Sequence, residues 1–472
     1  MIIDDVGAHI SAGQEQFMER LFQFLRFRSV STDPAYEPEM RKTRDFLKGW
    51  LAEIGLDNIQ ELDGGGKPAI YAECLNAPEK PTLLIYGHYD VQPPEPLELW
   101  KTDPFEPTIV GDRLYARGAS DVKGSTAIAI ETIGAFIAVT GHCPVNVKLF
   151  LEGEEETGSP SLDVIVDQFG DLLSADAIIS ADGGRASPDV PSINVGARGL
   201  AKTQLTVRTA AKEVHSGRYG GSIRNALHET AALVASLHDA NGAVAVESIR
   251  DLTRPMTKEQ RANAAALPFD EEAFIADVGA LGAGEPGHTI RERLTLLPAI
   301  DVNGMWGGYT GVGSKTVIPE VAHAKITIRL SPGIDSDAAL AVLKEHLRGH
   351  ASPGVELEFT ATGGGAPASE IRADHPLVLA AQSVLKADTG LDPVHVRLGS
   401  TVPITSIFRE RLGIETLMFG MNLPDEDIHA PNEFLHLKSI PLGLRIWPAL
   451  LNEIASFAPA DFANKREGNM SN

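Results

Sequence analysis

Between Glu15 and Phe27 the apolar residues Met18, Leu21, Phe22 and Leu25 recur at helical spacing, and Phe46, Leu47, Trp50, Leu51 and Ile54 do the same between Arg41 and Leu56. Each stretch predicts an amphipathic helix with one face turned to a core. Three short apolar runs follow, over 82–86, 145–151 and 177–180. Gly, Pro or Asp bounds each run, and helical stretches such as 125–139 separate them, so the pattern predicts an α/β fold with a mostly parallel sheet. Ligands of such sheets sit beyond the carboxyl ends of the strands, and each of these strands is followed at once by acids or a histidine: His88 and Asp90, Glu155 and Glu156, then Asp182.

After Gly196 the pattern restarts, with strands predicted over 200–207, 324–330 and 355–360 and helices over 225–238 and 337–347. This predicts a separate, smaller α+β unit. The glycine-rich segment 242–315, with Pro268 and Pro286, reads as an insertion carrying two short helices between Thr257 and Val278. From His375 the chain returns to helix (377–386), strand (416–419) and a last helix (441–457) before a polar tail, and no internal repeat is visible.

Composition narrows the picture. A chain of 472 residues, 43% hydrophobic and 22% charged, has the make-up of an ordinary globular protein and length for about three domain-sized pieces. Its 41 Lys and Arg against 64 Asp and Glu give a net charge of −23, which disfavours phosphate backbones and anionic membrane surfaces, so no nucleic acid or membrane partner is expected. Cys74 and Cys143 are the only cysteines, too few for a disulfide framework or a thiolate zinc cage. The first ten residues carry Asp4 and Asp5 and lack a basic-then-apolar leader, and no run of about 18 apolar residues occurs. A cytoplasmic location and no spanning helix are the expectations.

Five clusters carry chemistry. His88 and Asp90, two residues apart in an extended segment, point to one side, as a metal ligand and the carboxylate that orients it would; a loop histidine salt-bridged to an aspartate reads the same way. Asp121, in the run Ala116 to Gly124, is either a ligand or an ordinary helix N-cap. Glu152, Glu154, Glu155 and Glu156 crowd four carboxylates beside a strand end, a costly arrangement unless a cation neutralises them, though a solvated acidic loop is the bland reading. Adjacent Glu155 and Glu156 also offer one ligand and one general base. Asp182 and His429 complete a set of two histidines and several carboxylates with no thiol, which suits zinc, or manganese or cobalt, and fits two ions bridged by one aspartate better than one. His-Glu-x-x-His, Gly-x-Ser-x-Gly, a P-loop and a dinucleotide fingerprint are all absent from the sequence.

The ordered series is the specific signal. It consists of His88-Tyr89-Asp90-Val91-Gln92-Pro93, Ala116 to Gly124, Glu152 to Ser159, Asp182, His215-Ser216-Gly217-Arg218-Tyr219-Gly220-Gly221, Thr316-Val317-Ile318-Pro319 and His429-Ala430-Pro431-Asn432-Glu433. It resembles the M20 family of di-zinc metallopeptidases, in the dipeptidase branch that includes carnosinase-like cytosolic dipeptidases, over nearly the whole chain.

The resemblance implies a zinc-dependent exopeptidase-like catalytic domain over 1–197 and 369–472, with helices on both faces of its sheet, interrupted by a lid and dimerisation domain over 198–368. It implies that His88 and Asp182 hold one zinc, Glu156 and His429 the other, and Asp121 bridges them. Glu155 would be the general base and Asp90 would orient His88, while His215 would reach across a homodimer interface to stabilise the oxyanion in the partner subunit's site. Arg329 and Thr316 match positions that bind a substrate carboxylate, and Gly399, Ser400 and Thr401 belong with them; a guanidinium fork suits that task. The bland alternatives are a surface strand residue for Arg329, a turn residue for His215, and common strand and turn threonines for Thr316 and Thr401. The implied activity is hydrolysis of dipeptides or short peptides with a free C-terminal carboxylate, with N-acyl amino acid amidohydrolase, carboxypeptidase and silent peptide-binding scaffold as alternatives. Many carnosinase-like relatives have His-Gly-Gly-Lys-Pro where this chain reads Gly363-Gly364-Gly365-Ala366-Pro367, so a histidine that touches substrate in those relatives is missing. The family's Asp-Asp-Lys-Gly is Asp121-Val122-Lys123-Gly124 here, and its Arg-Glu-Gly-Gly-Ser is Arg397 to Thr401.

Overall fold

The computed structural model describes residues 2–361 and 365–463. Gly363 and Gly364 lie outside the described residues. Two compact units are present: Met1–Val195 with Ile371–Val396 and Ile407–Asn472, and Gly196–Glu370 with Arg397–Ser406.

The first unit is built on a sheet whose centre is parallel: Asn146–Glu152, Thr82–His88, Ala177–Ser180 and Thr416–Met418, in that spatial order. Asp57–Leu62 and Ala69–Cys74 extend it antiparallel on one side, and Ser192–Ala197 begins the antiparallel flank on the other. Central strands of this kind are buried on both faces, which is why Thr82–His88 is an unbroken apolar run with no polar alternation. Leu83 and Ile85 join the core that also holds Ile128, Ile133, Trp447 and Leu450. Tyr86 points the other way, with its ring 6.4 Å from Phe408 and 6.2 Å from Phe150. Helical residues therefore cover both faces, and polar residues are free to gather only at the strand ends.

One helical stretch, Ala119–Thr140, is long and apolar enough to cross a membrane by length and composition. It is not an unbroken apolar run, since Ser125, Thr126, Glu131 and Thr132 interrupt it. Its surroundings decide its role: 72% of its most apolar window is buried inside the protein, and the Gly124–Thr140 part packs against Ser439–Ile454 and Ile2–Ala12.

The second unit is a four-stranded antiparallel sheet in the order Ala299–Gly307, Val321–Leu330, Gly199–Arg208, Glu356–Ala361. Helices Ala226–Ala235 and Ser336–His350 pack on it around Leu205, Ile326, Ile328 and Leu343. The insertion holds more structure than the expected two helices: Glu247–Leu252, Lys258–Ala266, Glu271–Asp277 and Ile290–Thr295, then the edge strand. Two of these helices begin with capping boxes, Thr257 with Gln260 and Thr289 with Glu292, whose spacing is visible in the sequence. Segment 397–406, expected with the larger domain, clusters with this unit instead. The reason is local: the Arg198 backbone N–H donates to Leu398 O at 3.1 Å and its Nε to Gly399 O at 2.9 Å, and Arg329 Nη1 donates to Thr401 Oγ1 at 2.8 Å.

Candidate metal centre

The carboxyl edge of the parallel strands collects the expected residues of the first unit. His88 closes Thr82–His88, Glu155 and Glu156 form a 3-10 turn just past Asn146–Glu152, and Asp182 follows Ala177–Ser180. Asp121 and His429 come from elsewhere. Asp121 lies in the irregular turn before Gly124–Thr140 and caps nothing: its carboxylate serves two histidines. His429 sits in a loop at φ 65, with Asp427 and Asn432 also at positive φ, a conformation that non-glycine residues hold only when the surroundings impose it.

Two groups result, His88 with Asp121 and Asp182, and Asp121 with Glu156 and His429; in each, the candidate ligand atoms lie within 4.8 Å of one another. Asp121 is common to both. Its Oδ1 is 3.3 Å from His88 Nε2 and its Oδ2 is 2.9 Å from His429 Nε2, so its two oxygens face opposite groups. Glu156 Oε2 lies 3.1 Å from His429 Nε2 and accepts from Gln92 Nε2 at 2.7 Å. Asp90 is fully buried: its carbonyl lies 3.1 Å and its Oδ1 3.4 Å from His88 Nδ1, while its Oδ2 accepts the Glu156 backbone N–H at 3.1 Å. One carboxylate thus orients a histidine of the first group and the backbone of the second.

The electrostatics describe a site short of positive charge. Burial raises the Asp182 carboxyl to about 7, helped by the charge of Asp121, and raises Glu155 well above the usual carboxylate range, helped by Asp182, Asp121 and Glu156. Hydrogen bonds to Asp121 and Glu156 push His429 up to about 10. His88 rises as well, since Asp121 and Asp90 outweigh the burial that would lower it. Asp121 alone is driven below its ordinary range, against its own burial, by His429 and His88. Protonated His88 and His429 are thus the only positive charges among these side chains, while Asp182 and Glu155 are pushed toward their neutral forms. His88 Nε2 is moreover buried with no well-formed hydrogen bond, Asp121 Oδ1 standing 3.3 Å away. Imidazole and carboxylate donors with a poorly satisfied ring nitrogen fit a divalent cation in each group.

The four crowded glutamates do not act together, against the expectation from sequence. Glu154 is neutralised away from the centre by the backbone N–H of Lys67 at 2.8 Å and by the N–H and hydroxyl of Ser161. Glu152 accepts from the Tyr86 hydroxyl at 2.7 Å, and burial raises it to about 7. Of the four, Glu156 alone is in a ligand group, and Glu155 beside it feels the charges of His88, Asp182 and Asp121. Conversely, the sequence reading gave Glu433 no role, and it proves central to the loop geometry. Fully buried, it accepts the backbone N–H groups of Gly118, Ser120 and Asp121 at 3.0 Å each and Arg117 Nη1 at 2.6 Å, fixing the turn that carries Asp121. Its only sequence signal is its place four residues after His429.

The remaining candidates lie in the second unit as two pairs. His215, exposed, pairs in register with Val317, and the Ser216 N–H donates to Thr316 O at 3.0 Å, so His215 and Thr316 are neighbours. His215 Nδ1 accepts the Gly217 N–H at 2.9 Å, which leaves Nε2 as the protonated nitrogen of the neutral ring. Arg329 pairs with Thr401 as described and has no acidic partner among the described residues. Gly399 accepts from Arg198, and Ser400 is exposed.

Comparison with known proteins places this arrangement. Beta-Ala-His dipeptidase of Mus musculus is 28% identical over 481 residues, which span 96% of each chain. The Cys-Gly metallodipeptidase dug1 of Schizosaccharomyces pombe is 27% identical over 97% of this chain and 100% of its own. An M20 family metallo-carboxypeptidase from Sulfolobus solfataricus matches in structure with a TM-score of 0.78 and 30% identity, covering 93% of this chain and 99% of that one. Residues 84–453 match the profile of peptidase family M20/M25/M40. With that match over most of its length, the chain belongs to this peptidase family and is a metallohydrolase.

Proposed function

We propose that the protein is a dipeptidase acting on dipeptides or short peptides with a free C-terminal carboxylate. The observation that carries the reading is Asp121, one carboxylate shared by two groups of metal-ligating side chains. His88 and Asp182 would hold one ion, Glu156 and His429 the other, with Asp121 between them. Two zinc ions there, or manganese or cobalt, would supply Lewis acidity toward the scissile carbonyl and water of lowered pKa.

The chain's own residues supply the rest. Glu155, half-buried and with no side-chain hydrogen bond among the described residues, takes the proton of the attacking water and returns it to the leaving amine. Asp90 holds the His88 ring in place. His215, with Nε2 left as a donor, stabilises the oxyanion in the partner subunit's site. Arg329, steadied by Thr401 and free of any acid among the described residues, receives the substrate carboxylate, with Thr316, Gly399 and Ser400 lining that end. A homodimer formed through the second unit is supported by the edge strand Ala299–Gly307. Among the described residues one side of that strand is unpaired, and Met305, Trp306, Tyr309 and Val312 in and beside it are exposed.

The full length shared with the two dipeptidases supports this reading, and the structural likeness to the carboxypeptidase favours a second, the trimming of longer peptides from the C-terminus. The test is amino-acid release from dipeptides, a longer peptide, a C-terminally amidated dipeptide and N-acetyl amino acids by zinc- or manganese-loaded protein. Release from free dipeptides, lost on amidation, is the expected result. Undiminished release from the longer peptide selects the carboxypeptidase, and release confined to the N-acetyl compounds overturns both.

A further inference from the structure

The second unit carries a cleft of about 700 Å3, open to solvent, within and beside the insertion, and its wall is basic. Arg198, Arg250, Arg254, Arg261 and Arg293 line it, against Glu285 and exposed Asp301. In a chain of net charge −23 this is a local reversal of sign. Two of the five are already matched, Arg250 with Glu285 at 2.9 Å and Arg261 with Glu292 at 3.1 Å. The other three have no carboxylate partner among the described residues. Arg198, only 7% exposed, donates to the carbonyls of Gly399 at 2.9 Å and of Arg293 and Leu297 at 3.4 Å. Arg293 donates to the carbonyls of Ala283 and His288. Arg254 makes no hydrogen bond or ion pair with any described residue, and it is exposed.

Carbonyl dipoles hold a guanidinium in place without cancelling its charge. Burial, with Arg329 adding like charge nearby and Asp301 opposing, lowers Arg198 to about 10, so it remains a cation at neutral pH whose burial no ion pair offsets among the described residues. Glycines also make room for these side chains. A Cβ at Gly333, whose φ is +86, would lie 2.7 Å from Arg254 Nε, and one at Gly284, whose φ is +123, would lie 2.9 Å from Arg293 Cδ. Between the cations the wall is apolar, with Met256, Leu294, Leu297 and Ile300. Neither Arg329 nor Thr401 lines the cleft, so it is not the carboxylate clamp of the proposed reaction.

We propose that this cleft is a binding site for an organic oxyanion, a phosphate monoester or a carboxylate carried on an apolar body, with Arg198, Arg254 and Arg293 as its anion receptors. Guanidinium forks match either head group, and the apolar wall accepts the body. The proposal is independent of the hydrolytic reading and applies equally to metal-free protein.

Titration calorimetry and thermal shift on the full chain, with and without metal, test it, using phenyl phosphate and phenylacetate as probes and benzyl alcohol as the uncharged control. Saturable binding of at least one anion is expected, weakened by salt, with no binding of the alcohol. The tighter of the two anions identifies the head group. Arg254→Met should weaken binding at least about tenfold, the loss of one charge-assisted hydrogen bond. Because Arg254 is exposed and unpaired among the described residues, that variant should keep the wild-type circular dichroism. Gly333→Ala retains every arginine but drives a methyl group into the Arg254 guanidinium, and it should weaken the same probe. Absence of saturable binding by both anions, or undiminished affinity in both variants, overturns the proposal.

Discussion

Glu155 and Glu156 share one turn, yet their surroundings differ in kind. Glu156 is gripped by His429, Gln92 and, through its backbone, Asp90. The Glu155 carboxyl has burial and three like charges around it, opposed by His88 alone, and no side-chain hydrogen bond or ion pair among the described residues, the setting in which a carboxyl keeps its proton affinity high. Glu155→Gln should therefore lower hydrolysis by about two to four orders of magnitude with metal content unchanged by elemental analysis; near-wild-type turnover would place the base elsewhere. Glu433 makes a different prediction. Removing its carboxylate strands the buried Arg117 guanidinium and three backbone donors, so Glu433→Ala should cost about 3–5 kcal/mol in urea unfolding and lose metal as the Asp121 turn relaxes. A variant as stable as wild type would show that water satisfies those groups. The two residues also mark what a sequence can reveal of such a site. His88, the Glu155–Glu156 pair and Asp182 are legible because each follows a recognisable strand. Glu433, whose work is accepting backbone hydrogen bonds, looks in sequence like any loop acid, just as Glu152 and Glu154 look like ligands until Tyr86 and Ser161 are found beside them.

Among elements, legibility follows burial. Residues 149–151 and 177–179 are apolar because helical residues cover both faces of the sheet, and they stand out in the sequence. Ala299–Gly307 is an edge strand with mixed exposure and a register shift between Val302 and Gly304, so neither alternation nor an apolar run announces it. Helix Pro376–Thr389 was readable, but its start carries a titratable cap that pattern alone cannot show. His375 Nδ1 accepts the Leu377 N–H at 3.3 Å while its Nε2 is buried without a partner, an arrangement only the neutral ring allows. Burial lowers its pKa from 6.5 to about 4; the charge of Arg372 acts in the same direction and Asp374 opposes it. Between those values the unfolded chain binds the extra proton, so stability is complete above about pH 6.5 and declines as pH falls to about 4. The loss should reach about 2–3 kcal/mol. His375→Asn keeps an acceptor for Leu377 and removes the titration, so its urea-unfolding stability should fall less than the wild type's over that window. Parallel pH slopes in the two proteins would mean that His375 is not the group responsible.

At the scale of the whole molecule, the chain leaves its first unit at Gly196, returns at Ile371 and crosses once more for 397–406, a short excursion that no change of composition signals because hydrogen bonds from Arg198 and Arg329 define it. The proposed chemistry is divided the same way, with the general base in one unit and His215 in the other. If His215 serves the partner's site, each active centre of a two-fold dimer needs Glu155 from one subunit and His215 from the other. Glu155→Ala and His215→Ala homodimers should then both be inactive while remaining dimeric. A heterodimer of the two contains one centre with both groups intact and one with neither. After subunit exchange about half of the dimers are mixed, so an equal mixture should regain about a quarter of wild-type activity. With His215 acting within its own subunit, every centre in the mixture lacks one group. A mixture that exchanges subunits, as shown by mass-tagged chains, yet stays as inactive as its parents would place His215 in its own subunit's site.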